Sequence, residues 1–194
     1  MLYFFDTEFL DDGNTIDLIS IGIVAEDGRE LYACNLDARL DLAAKISWMK
    51  ENVLAKLPTY GNKAWMHRRG NWQIPGIREA VLSFMFDTKN KTDLLAGHDG
   101  PLGPSPDGKK PEIWGYFSSY DWVVFCQLFG PMVDLPTQFP KFCRDLRQLA
   151  DDVGNPKFPK PDGAEAHNAL VDARWNRDLY KFLMERKMLA ERGT

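Results

Sequence analysis

Long apolar runs are missing from this chain of 194 residues. None approaches the roughly 20 residues of a membrane span. The apolar start Met1-Leu2-Tyr3-Phe4-Phe5 is interrupted at once by Asp6 and Glu8. A signal peptide needs a longer apolar region behind a basic start. The expected location is therefore cytoplasmic, with no membrane partner. Cysteine is scarce as well. Cys34, Cys126 and Cys143 are scattered, odd in number and form no Cys-x-x-Cys pair. That argues against a disulfide framework and a zinc site, and leaves buried free thiols as the expectation. Excess positive charge is also lacking, since the formal net charge is −4. Proteins that hold long nucleic acid through phosphate contacts are usually basic. The balance argues against a tight, non-specific nucleic-acid binder. It leaves room for an enzyme that grips a short strand end, because a carboxylate cluster adds negative charge that divalent metal neutralises.

What remains is an ordinary globular composition, 44% hydrophobic and 27% charged. The length suits one domain with a single sizeable core. Residues 2–5 are apolar and aromatic and predict a strand. Thr15 to Ala25 is rich in isoleucine and valine and predicts a central strand. The turn at Asp27-Gly28 then predicts a hairpin into Arg29 to Leu36. After this meander the period changes. Leu42, Ile46, Met49, Val53 and Leu57 recur at helical spacing, predicting a helix over 41–57. A second helix is expected from Pro75, and a strand over 113–117. Further helices are expected over 120–129, with Ser118-Ser119 as N-cap, over 141–153, and from 165–168 to about 187. Residues 88–111 are rich in Gly, Pro, Asp and Lys and read as a surface loop insertion. The fold class is α/β, a mixed sheet with an antiparallel N-terminal meander flanked by helices, in one domain over 1–194.

Three short patterns carry chemistry. Asp6-Thr7-Glu8 puts two carboxylates on one face of a strand, roughly 6.6 Å apart along it. They repel each other, and a hard divalent cation with oxygen ligands is the natural compensation. The pair directly follows a core strand, where α/β active sites gather. Asp121, in Tyr120-Asp121-Trp122, falls in the first turn of a helix after a strand, where an acid also complements the helix dipole. Asp172 lies inside an apolar helical stretch, and an unpaired buried carboxylate there needs a partner or a metal. His167 precedes it by five residues. Five residues rotate a helix by roughly 500°, so the two cannot share a face of one helix. His167 is therefore expected at the frayed start of the helix or in the loop before it. His67 and His98 have no such neighbours and read as surface or capping residues.

The ordered set Asp6-x-Glu8, Tyr120-Asp121 and His167-x-x-x-x-Asp172 resembles the three motifs of the DEDDh 3′-to-5′ exonucleases, which have an RNase H-like fold. The chain is most similar to the bacterial polyadenylate-specific 3′-to-5′ exoribonucleases (exoribonuclease AS). The segments that carry this are Tyr3 to Phe9, Thr15 to Glu30, Val53 to Pro58, Cys126 to Met132 and Leu170 to Arg174, and the loop 88–111 departs from it. The resemblance implies hydrolysis with two ions, Mg²⁺ or Mn²⁺. Asp6, Glu8 and Asp172 would hold one ion. Asp6 would bridge to the second, which Asp121 would bind directly or through water. His167 would take the proton from the attacking water. The implied substrate is single-stranded RNA with an adenine-rich 3′ end, the product a nucleoside 5′-monophosphate, and the implied assembly a homodimer.

For substrate binding, Phe9 is a candidate to stack on the terminal base, with core packing the equal alternative. Trp65 with Arg68 and Arg69 is a second candidate, a solvated face being the alternative for the arginines. Gly97 to Gly108 lacks the ending of a phosphate-binding loop, though Lys109 and Lys110 could touch RNA. A DNA exonuclease with the same site is the alternative function, because no motif reports on the 2′-hydroxyl. A non-catalytic RNA- or nucleotide-binding module is the alternative from another class.

Overall fold

The structure is a computed structural model and describes residues 1–58, 60–61, 70–86, 107–159 and 166–192. Six strands form one sheet in the order β4-β3-β2-β1-β5-β6. The meander is β1 (Leu2–Asp11), β2 (Ile16–Ala25) and β3 (Glu30–Asn35), paired antiparallel. Three strands pair in parallel: β4 (Asn71–Trp72) with β3, β5 (Glu112–Gly115) with β1, and β6 (Arg144–Asp145) with β5. This is a mixed α/β sheet flanked by helices, consistent with the RNase H-like class.

Central β1 is covered on both faces. Tyr3 and Phe5 point into a core shared with α3 (Ile74–Met85) and α4 (Ser119–Gln127), through Ile77, Val81, Leu82, Val124 and Phe125. Phe4, of opposite parity, packs with Leu146 and Leu149 of α5 (Leu146–Asp152) and Leu179 and Leu183 of α6 (Ala169–Arg192). Asp6 and Glu8 share the parity of Phe4 and so face the α6 side. Just beyond Glu8 the register slips. Glu8 opposes Ser20 but Phe9 opposes Leu18, so Ile19 is an extra residue turned to the opposite face. There it packs with Leu10, Met49, Val53 and Leu54. Bulges re-aim side chains beside active sites, and this one follows the carboxylate pair directly.

Several elements differ from the sequence expectation. β1 runs on to Asp11, so Asp6 and Glu8 lie within a strand rather than at its end. They do lie just past its parallel pairing, which covers only Leu2 to Phe4. The helix expected over 41–57 is three pieces: α1 (Leu40–Ala43), α2 (Ser47–Asn52) and a 3-10 turn at Leu54–Lys56. Ile46 between them is extended. The helical period there marks the buried contacts Met49, Val53 and Leu57, not chain continuity. The helix expected over 141–153 begins at Leu146, because Arg144 and Asp145 pair with β5. Ser118 makes no side-chain cap, and its hydroxyl lies 3.3 Å from Cys143 Sγ. All three cysteines are free thiols, with Cys143 half-buried. Among the described residues no helix is long and apolar enough to cross a membrane. Trp65, Arg68, Arg69, His67, His98 and most of the loop 88–111 lie outside the described residues. Lys109 and Lys110 are exposed.

Candidate active site

Three chain segments converge on one cleft of about 900 Å³, lined by Asp6, Glu8, Phe9, Asp121, His167 and Asp172 among others. Each segment is placed by an identifiable local cause. Beyond Phe4, β1 has lost β5 as a neighbour, which leaves the Thr7 N–H without a strand partner on that side. Asp121 takes the place of the strand. Its Oδ1 accepts from the Thr7 N–H at 2.9 Å and from the Thr7 hydroxyl at 2.6 Å. Asp121 is therefore fixed to β1 from the opposite helix layer, with both Thr7 bonds on the same oxygen. Thr7 was not singled out from the sequence. The signal was there in its position between two carboxylates, but its partner becomes visible only once β5 is seen to stop at Gly115. Replacing Thr7 by valine keeps the shape and removes the hydroxyl. The expected loss is about 1 kcal/mol in stability and about tenfold in kcat, measured by thermal melts and steady-state kinetics.

α6 begins at Ala169, so His167 lies ahead of it, as the rotation argument requires. The His167 backbone is left-handed, with φ 65°. That conformation is costly for a residue with a side chain, and Asp172 holds it in place. The His167 N–H donates to Asp172 Oδ2 at 2.8 Å. The imidazole meets Trp48 edge-on at 4.9 Å. One ligand atom each from Glu8, His167 and Asp172 lie within 4.8 Å of one another. The start of α6 can approach β1 this closely because of Gly22, which pairs with Asp6 across the sheet. A Cβ at Gly22 would lie 2.2 Å from the carbonyl oxygen of Ala169.

The electrostatics follow from this crowding. Burial, then repulsion from Asp121, Glu8 and Asp172, holds the Asp6 carboxyl well above its ordinary range. Glu8 is pushed up to about 8 by burial and by Asp172 and Asp121, with Lys56 opposing. Asp121 is raised by burial, against the pull of the Thr7 bonds. Asp172 is raised by burial, against the His167 N–H. Such a set is unfavourable as four anions and becomes favourable around divalent cations, whose preferred ligands are carboxylate oxygens. The donor chemistry therefore fits Mg²⁺ or Mn²⁺.

Phe9 is half-buried, packs against the main core and also lines the cleft. Its ring stacks on Tyr120 at 6.1 Å and 22°. Core packing and cleft exposure thus coexist in one side chain.

The family model described as "3'-5' exoribonuclease Rv2179c-like domain" matches residues 1–184. The chain belongs to the Rv2179c-like 3′-5′ exoribonuclease family. Membership makes it an enzyme of the 3′-5′ exoribonuclease class. Two relatives come from Mycobacterium tuberculosis: 3′-5′ exoribonuclease MT2234.1 of strain CDC 1551 / Oshkosh, and 3′-5′ exoribonuclease Rv2179c of strain ATCC 25618 / H37Rv. Each is 42% identical to this chain over 174 residues, 90% of this chain and 88% of the relative. The span matched by the family model, residues 1–184, includes every residue gathered in the cleft.

Proposed function

We propose that this member of the exoribonuclease family hydrolyses single-stranded RNA from the 3′ end, with divalent cations, and releases nucleoside 5′-monophosphates. The observation that carries the reading is the convergence of Asp6, Glu8, Asp121, His167 and Asp172, drawn from β1, α4 and the approach to α6, on one cleft. The four carboxylates would hold two ions, Mg²⁺ or Mn²⁺, with Asp121 free to offer the oxygen that Thr7 does not occupy. Bound there, the ions would offset the carboxylate charge and the charge that builds on the phosphodiester during hydrolysis. His167 serves as general base. Its backbone is pinned by Asp172 and its ring is braced by Trp48, so the imidazole is presented to a water approaching the phosphodiester. Phe9, stacked on Tyr120, supports the terminal base. Trp65, Arg68 and Arg69 remain candidates for further contacts with the strand.

The preference for adenine-rich tails, the DEDDh assignment and the homodimer rest on the sequence resemblance, the cytoplasmic location on the lack of a long apolar run, and all are proposed with the activity. One family model spanning residues 1–184 supports reading the chain as one exonuclease domain. The test is to incubate the purified protein with Mg²⁺ and matched oligomers of RNA and DNA, including homopolymer RNA tails. RNA is expected to be degraded faster than DNA, and adenine tails fastest. Faster DNA cleavage overturns the RNA reading. Tight binding with no metal-dependent turnover supports a binding module instead. In the same assay His167→Ala should lower kcat by about 100- to 10,000-fold, the usual contribution of a general base. It should leave the melting-temperature rise on adding Mg²⁺ largely intact. A loss below about tenfold would exclude His167 as the base.

A further inference from the structure

The cleft extends past the carboxylates along a wall of Tyr116, Phe117, Phe158 and Trp175, with exposed Lys157 beside them. Three of these rings have a structural explanation. Tyr116, Phe158 and Trp175 pack against the core formed by α5, α6 and β5. Trp175 meets Tyr116 at 5.1 Å and donates its indole N–H to the Pro159 carbonyl. Phe117 touches this group only edge-on, its ring meeting Tyr116 at 4.7 Å. It belongs to none of the core clusters and is 63% exposed. It also sits at φ 53°, in the left-handed region that a bulky side chain rarely adopts. Glycine or asparagine would fit that backbone at less cost. An exposed aromatic ring held in an unfavourable conformation points to function rather than packing.

The elbow that presents Phe117 is firmly built. It joins β5 to α4, the helix that carries Asp121. The turn is tight enough that a Cβ at Gly115 would meet Ser118 Cβ at 2.6 Å. The N–H groups of Phe117 and Ser118 donate to the two oxygens of Asp145, at 3.2 and 3.1 Å. Asp145 also caps α5 by accepting from the Arg147 N–H at 2.7 Å. One carboxylate therefore ties the elbow to the helix beneath it. The volume, near the top of the roughly 300–1,000 Å³ of small-ligand pockets, leaves room beyond a single nucleotide at the carboxylates.

We propose that Phe117 is a stacking platform for a base upstream of the 3′-terminal nucleotide of single-stranded RNA, with Lys157 placed to meet a backbone phosphate. This rests on the exoribonuclease reading above. Stacking on an aromatic face suits a processing enzyme because every base has such a face. Asp145 acts as the positioning residue that fixes the ring.

The test pairs one tetraribonucleotide with a second in which the three upstream nucleotides are abasic. Wild type is expected to show kcat/KM about tenfold higher on the complete substrate. Phe117→Ala should abolish that preference by raising KM on the complete substrate alone, with kcat unchanged on both. Phe117→Tyr should retain the preference. Phe117→Gly relieves the backbone strain, so it should melt no lower than wild type while losing the preference, which separates recognition from folding. A preference that survives in Phe117→Ala and Phe117→Gly, or an equal loss on both substrates, overturns the subsite while leaving the exonuclease reading standing. If wild type releases mononucleotide from neither substrate, the exonuclease reading falls and the subsite with it.

Discussion

Glu8→Gln should make the metal-free protein more stable and nearly inactive at the same time. In solution the Glu8 carboxyl would titrate near 4.5, but in the folded site it is raised to about 8. Between those values the folded state binds more protons than the unfolded state, so stability falls as pH rises through that window. The cost is absent below about 4.5 and complete above about 8. Glutamine keeps the shape and never ionises, so it escapes the cost. At pH 8 the gain should be on the order of 4 kcal/mol at most, or roughly 10 °C in melting temperature for a chain of this size. At pH 4.5 it should vanish. Adding Mg²⁺ should narrow the difference. A ligand at 100 times its Kd stabilises the wild type by about 2.7 kcal/mol, and the variant loses one oxygen ligand. Hydrolysis should drop by more than about 100-fold, beyond the usual effect of removing a residue that only supports a ligand. Thermal melts of EDTA-treated protein across pH, repeated with Mg²⁺, check every part. A variant that melts below wild type at pH 8 without metal would show that burial and the neighbouring carboxylates do not oppose ionisation of Glu8.

Gly22→Ala should be as damaging as the loss of a catalytic group, although Gly22 touches no substrate. The added Cβ would stand 2.2 Å from the Ala169 oxygen and 2.4 Å from both the Ala169 carbonyl carbon and the Leu170 nitrogen. These are backbone atoms at the start of a 24-residue helix, so no side chain can swing aside. Either α6 lifts from β2 or β2 bends beneath it. The expected cost exceeds about 3 kcal/mol, the upper end of ordinary overpacking. The lifted segment carries both His167 and Asp172, so the folded fraction should also lose at least about 100-fold in kcat/KM. Denaturant titration and kinetics on the same preparation separate the two losses. A variant within about 1 kcal/mol of wild type, with activity retained, would mean that the helix start is not seated as described.

These two cases show where sequence reading succeeds and where it stops. The period-2 rule places Asp6 and Glu8 on one face without further information. The 3.6 period places His167 outside the helix that holds Asp172. Both are local geometry, and local geometry is written in the order of residues. The meander was equally legible from its apolar runs and the Asp27-Gly28 turn. Contacts that depend on where a distant strand ends were not legible. Asp121 meets Thr7 because β5 stops at Gly115, and nothing around Asp121 announces that. The importance of Gly22 is hidden for the same reason, since only the docked α6 makes a side chain there impossible. Phe117 reads as one more strand residue until its positive φ is seen. The break in the 41–57 segment shows a further limit, because apolar spacing reports which side chains are buried and not whether the backbone is continuous. The short strands at Asn71–Trp72 and Arg144–Asp145 are set by their neighbours in the sheet, and two residues carry no period to detect.

The proposed function requires the carboxylates and His167 to form one cation-dependent site that removes nucleotides from the 3′ end. The most direct measurement follows a single-stranded RNA labelled at its 5′ end, incubated with the protein and Mg²⁺, with and without EDTA. The expected result is a ladder that shortens one nucleotide at a time from the 3′ end, accompanied by nucleoside 5′-monophosphates and abolished by EDTA. Internal cuts, shortening from the 5′ end, or a ladder that persists in EDTA would contradict it.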